Sequence, residues 1–124
     1  IGICLGMQLL TDASNEHSYT KGLGLIPGEV VAMANPKWHI GWNTIEPVID
    51  KSTLQMTEGK SFYFNHSYMY KGNSKYQLFV SKNQNILPVI IRKDNVFGLQ
   101  FHPEKSQAPG RELLDHLIME MCHA

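Results

Sequence analysis

The sequence carries no excess charge of either sign. Its 124 residues hold 11 Lys plus Arg against 11 Asp plus Glu, a formal net charge of zero. No basic stripe marks a nucleic-acid partner, and no acidic tail marks a basic one. No apolar run approaches the length that spans a bilayer, so no membrane segment is read. No charged stretch followed by an apolar core opens the chain, so no signal peptide is read either. Cysteine is scarce, with only Cys4 and Cys122. Two cysteines so far apart make no disulfide framework, and no Cys/His cluster has metal-ligand spacing. The expectation is a reducing, cytoplasmic setting with Cys4 free, no metal and no cofactor. Cys122, in an apolar C-terminal run, is expected to be buried or half-buried.

What is present is ordinary for one small domain: 43% hydrophobic and 18% charged residues. Residues 1–3 read as the end of a buried strand and residues 5–14 as a helix. Residues 15–21 read as a polar loop. The Gly22-Leu23-Gly24-Leu25-Ile26-Pro27-Gly28 stretch punctuates the chain before a strand at 29–33. A further strand is expected at 39–45, and a loop or short helix at 50–59. Aromatic and β-branched runs predict strands at 61–64, 67–70, 76–81, 87–92 and 96–101. Asp94-Asn95 is the turn between the last two. Residues 109–121 close the chain as an amphipathic helix with Leu113, Leu114, Leu117, Ile118 and Met121 on one stripe. The pattern is α/β with a β-rich middle.

Chemistry concentrates at the two ends. Gly2-Ile3-Cys4-Leu5-Gly6 has the form of a nucleophile elbow, a tight strand-to-helix turn that exposes the central side chain. Side chains at Gly2 or Gly6 are expected to collide with the neighbouring backbone. The helix N-terminus is expected to favour the thiolate of Cys4. The Leu5 amide is expected to serve as an oxyanion donor. Far along the chain stands Phe101-His102-Pro103-Glu104. On an extended strand His102 and Glu104 share a face, so the imidazole can reach Cys4 with one nitrogen and Glu104 with the other. Nucleophile, base and orienting acid make the minimum set for acyl transfer through a thioester.

These two stretches, Gly2 to Leu10 and Gly98 to Ser106, resemble the class I, triad-type glutamine amidotransferases. Within that class, Gly22 to Gly28, His39-Ile40-Gly41-Trp42-Asn43 and Phe62-Tyr63-Phe64-Asn65-His66-Ser67-Tyr68 are similar to the glutaminase subunits of imidazole glycerol phosphate synthases. The resemblance implies a flavodoxin-like, doubly wound domain of which residues 1–124 form the C-terminal part, with the upstream strands and helices missing. It implies hydrolysis of glutamine and delivery of ammonia to a (β/α)8-barrel cyclase subunit in histidine biosynthesis. Cys4 is then the nucleophile, His102 the base and acid, and Glu104 its orienter. Gln8, Ser67 and Tyr68 match glutamine-holding positions, and Trp42 and Lys105 match the partner interface. His39 and His66 receive no catalytic role and read as structural. The family's second oxyanion donor lies upstream of these residues, so the chain alone is expected to be inactive. Two positions depart from the subgroup's pattern: Trp38 replaces a small residue or proline, and Asn65 replaces an apolar one. Other readings stay open. One is a paralogous glutaminase serving a surface-sugar amidotransferase. Another is a cysteine peptidase or γ-glutamyl hydrolase of the same fold, which Gln8 and the Ser67–Tyr68 segment oppose. The last is a remnant that only binds the partner.

Overall fold

The computed structural model describes residues 1–16, 18–34, 36–48, 57–82 and 85–122. Most of the 50–59 stretch, expected as loop or short helix, lies outside them. The architecture is α/β, as expected, built from mixed sheets and few helices.

The central sheet has five strands in the order β1 (Gly2–Ile3), β11 (Val96–Leu99), β10 (Ile86–Lys93), β9 (Gln77–Lys82) and β6 (Glu46–Pro47). Only β1 and β11 run parallel within it, and the other pairs are antiparallel. Residues 87–91 of β10 are all buried, the continuous apolar run of a strand covered on both faces. Pro88 sits in this strand beside a register shift, where a missing N–H is tolerated. Asp94-Asn95 joins β10 to β11 as expected. Asp94 takes φ 55, the left-handed conformation that a two-residue hairpin needs.

A second sheet of four strands runs β3 (Thr20–Lys21), β2 (Ala13–Ser14), β4 (Glu29–Ala32), β8 (Tyr68–Lys71). Strands β5 (His39–Thr44) and β7 (Ser61–His66) form a separate antiparallel pair. The chain passes from β7 to β8 through Ser67, so this residue marks a change of sheet.

Helix α1 spans Leu5–Leu9, shorter than the expected 5–14. Side chains that bond backbone compete with helix continuation, and two of them stand where α1 stops. Thr11 Oγ1 donates to Gln8 O at 2.7 Å, and Asp12 Oδ2 accepts from Gly28 N at 3.1 Å. The glycine-rich loop then satisfies the carbonyls left over where the helix ends. Leu23 N donates to Leu9 O, Gly24 N to Thr11 O, and Leu25 N and Ile26 N both to Leu10 O. The expected 15–21 loop likewise contains β3, paired to β2.

Helix α2 spans Gln107–Cys122. Leu113 and Leu117 enter the main core with Phe62, Phe64, Phe79, Phe97 and Phe101. Ile118, expected on that stripe, is exposed, and so is Cys122. Both lie off the narrow Gly110–Leu113–Leu117 line on which α2 meets the sheet. A smaller core of Met7, Leu10, Ile26, Tyr70 and Ile91 lies under α1. Among the described residues, no helix is long and apolar enough to cross a membrane.

Candidate active site

Cys4 stands at the junction of β1 and α1. Its amide donates to Leu99 O at 2.7 Å, which ties the turn to β11. Its backbone takes φ 53 and ψ −107, a conformation that L-residues rarely adopt. Packing enforces this turn. A Cβ on Gly2 would lie 2.5 Å from Gly6 O, and one on Gly98 2.5 Å from Met7 Cγ. Glycine on both paired strands therefore lets α1 sit directly on the sheet. Gly6 differs from expectation, because a Cβ there meets nothing within 4 Å among the described residues.

The expectation of a favoured thiolate is also overturned. Burial pushes the Cys4 thiol up, the Leu5 amide N–H pulls it down, and the Glu104 and Glu16 carboxylates push it up further. A five-residue helix supplies too little field to reverse the cost of burial. The Leu5 amide does point at the sulfur, as its bond to Cys4 records.

His102 and Glu104 are joined, His102 Nδ1 to Glu104 Oε2 at 3.0 Å. The joining element is not a strand, as expected, but a 3-10 turn, Pro103–Lys105, that His102 caps. Glycine again shapes it: a Cβ on Gly110 would lie 1.9 Å from Pro103 O, so α2 packs hard against the turn. Ser106 Oγ donates to His102 O at 2.6 Å and accepts from Tyr63 N at 2.9 Å, and His102 N donates to Tyr63 O at 2.9 Å. The turn is thereby clamped to β7. The imidazole does not bond the thiol. Besides the Leu5 amide, the sulfur's partners among the described residues are Asn65 O at 4.0 Å and Gln100 Nε2 at 3.8 Å.

Cys4 opens onto a pocket of about 200 Å³ lined by Leu5, Gln8, Glu16, Trp38, Asn65, His66, Ser67 and Tyr68. Five residues assigned from sequence, Cys4, Leu5, Gln8, Ser67 and Tyr68, thus share one concavity, whereas His102 and Glu104 do not line it. Gln8 is 5% exposed, and its side-chain amide makes no hydrogen bond within the described residues. Trp38 and Asn65, the two positions expected from sequence to depart from the subgroup's pattern, contact each other: Trp38 Nε1 donates to Asn65 Oδ1 at 2.9 Å.

Behind the pocket lies a closed chain of hydrogen bonds. His66 Nδ1 donates to Tyr68 O at 2.8 Å, which leaves its Nε2 to accept from His39 Nδ1 at 2.9 Å. His39 Nε2 then accepts from Asn43 Nδ2 at 2.8 Å. One set of tautomers satisfies the whole chain, and both histidines are neutral in it. Burial drives His66 from 6.5 down to about 4 and lowers His39 as well. These bonds lock β5 and β7 to the Ser67–Tyr68 segment.

Outside the pocket, β5 is the edge of its pair and exposes Ile40 and Trp42. The Trp42 ring meets Tyr63 edge-on at 5.9 Å between centroids. Lys105 is exposed on the His102 turn.

Sequence reasoning missed Gln100, Ser106 and Asn43. Gln100 stands two residues before His102, a strand-face spacing that could have marked it.

The pattern of the class-I glutamine amidotransferase family matches residues 1–121, and the chain belongs to that family. Its relatives carry a more particular name. The chain is 42% identical over 118 residues to the imidazole glycerol phosphate synthase subunit HisH of Listeria monocytogenes serotype 4b, covering 92% of this chain and 57% of that protein. It is 42% identical to the subunit so named in Caldanaerobacter subterraneus subsp. tengcongensis, covering 92% and 58%. It is also 42% identical to that of Carboxydothermus hydrogenoformans, covering 94% and 60%. The chain therefore spans somewhat over half the length of these curated relatives.

Proposed function

We propose that the protein carrying this chain is the glutaminase subunit of an imidazole glycerol phosphate synthase. It hydrolyses glutamine and hands ammonia to a (β/α)8-barrel cyclase subunit. The observation that carries the reading is the pocket in which the strained Cys4 elbow meets Gln8 and the Ser67–Tyr68 segment.

In this reading the Cys4 sulfur attacks the side-chain amide carbon of glutamine, and His102 holds the thiol proton. The Leu5 amide steadies the oxyanion of the tetrahedral intermediate. His102 returns the proton to the leaving nitrogen, so ammonia departs and a glutamyl thioester remains. Water then attacks, His102 takes its proton, and glutamate leaves with the thiol restored. Glu104 orients the imidazole and balances its charge. For this to proceed His102 must move from its resting bond with Glu104 alone to one that also meets the sulfur, a tightening common on substrate binding.

Gln8 supplies an amide without a hydrogen-bond partner among the described residues, which suits contact with the polar end of glutamine. The edge of β5, with Ile40 and Trp42 exposed, and the exposed Lys105 on the His102 turn offer surface for the partner. Exposed aromatics are enriched in such surfaces. Both cysteines are free, which suits the cytoplasm.

The test is ammonia release from glutamine by the complete protein mixed with its barrel partner, together with labelling by an electrophilic glutamine analogue. Glutamine-dependent ammonia and a label on Cys4, both lost in Cys4→Ser, are the expected result. Ammonia release that survives Cys4→Ser would sink the reading.

A further inference from the structure

Gln100 follows β11 and is fully buried, 0% exposed. Its backbone N–H donates to Val89 O at 2.9 Å, which fixes the residue against β10. A primary amide brings two donors and a carbonyl into the interior, and native cores nearly always pair such groups. Among the described residues the side chain makes one hydrogen bond, Nε2 to the Cys4 sulfur at 3.8 Å. Its Oε1 is buried with no partner among the described residues. A methionine or leucine would fill the same space without burying a polar group. The amide's one evident return for that cost is its approach to the sulfur. Either orientation of the amide is useful there. The N–H₂ end donates to a thiolate, and a half-turn about the last bond presents the carbonyl to an S–H.

We propose that Gln100 is a positioning residue for the nucleophile, its side-chain amide holding the Cys4 sulfur toward the pocket through formation and hydrolysis of the thioester. This rests on the reading of Cys4 as the glutaminase nucleophile. Gln100 does not line the pocket, so its effect falls on the sulfur and not on glutamine binding. The other groups acting on the sulfur are the Leu5 amide on α1, the Asn65 carbonyl on β7, Glu104 on the His102 turn and Glu16 after β2.

The test uses the complete protein and measures alkylation of Cys4 by iodoacetamide against pH, with the site resolved by mass spectrometry. In Gln100→Met the inflection is expected to move up, with on the order of tenfold less thiolate at neutral pH. The kcat for glutamine should fall by a similar factor while KM changes by less than about twofold. Gln100→Glu keeps the shape and replaces the donor by an acid, so it tests the idea even if the methionine variant does not fold. Its inflection should also move up, because an ionised carboxylate beside the sulfur disfavours the thiolate. An inflection unmoved in the variants overturns the proposal. Wild-type protein that releases ammonia but shows no dependence on Gln100 rejects this role alone. A Gln100-dependent inflection without ammonia release rejects the glutaminase reading instead.

Discussion

Two histidine centres are fastened to β7, and they differ in each physical respect that matters. His39 and His66 are buried, saturated with hydrogen bonds and bound in one neutral tautomer chain from Asn43 to the Tyr68 carbonyl. His102 is half-buried, stands on a short turn, and bonds an exposed carboxylate. The first pair has no free nitrogen, so it can only hold strands together. Among the described residues, His102 keeps one nitrogen free, which is what a proton carrier needs. In the proposed mechanism, identical side chains thus divide into scaffold and chemistry according to how completely each ring is satisfied.

Removing the chemical centre should give the largest effect. His102→Asn in the complete protein is expected to lower the glutaminase rate by about 10³-fold. Its urea unfolding midpoint should hardly move, since partly exposed ion pairs contribute about 0–1 kcal/mol. A large loss of stability in this variant would erase the distinction between the centres.

Acid should act on the scaffold instead. Because His66 is lowered from 6.5 to about 4, the folded chain resists a proton that the unfolded chain accepts between those values. Its contribution is fully present above pH 6.5 and is lost as the pH falls toward 4, on the order of 3 kcal/mol in all. Lowered His39 adds in the same direction. Urea titrations across this range check it, and a His66→Gln variant should flatten the slope.

Smaller still is Asn43→Leu. It strips the donor from His39 Nε2 and is expected to cost about 1–2 kcal/mol of stability with kcat little changed. The smallest effect is expected at the pocket wall. Trp38→Phe keeps a ring but loses the bond to Asn65, worth about 1 kcal/mol, and should appear as a modest rise in KM for glutamine. If Trp38→Phe matched His102→Asn in effect on kcat, the wall would have to be counted as chemistry.

Much of this was readable before folding was considered. The elbow was legible because a tight turn leaves Gly2 no room for a side chain. The hairpin at Asp94-Asn95 was legible as a tight turn too. The extent of α1 was not, because it stops where the distant 22–26 loop captures its carbonyls. The protonation tendency of Cys4 was not legible, because a helix expected over 5–14 suggests a field, whereas the helix found is five residues long and burial, visible only in three dimensions, outweighs it. The meeting of Trp38 with Asn65 was equally hidden, since 27 residues separate them.

Local chemistry along the chain therefore determined which residue types could form an elbow, a turn and an acid–base pair. Those depend on sterics and hydrogen bonds between near neighbours. The tertiary structure alone decided which histidines are satisfied and which remains free, how deeply the sulfur is buried, and that Gln100 reaches it. Burial and desolvation depend on every segment that packs around a group, and the segments around Cys4 come from both ends of the chain.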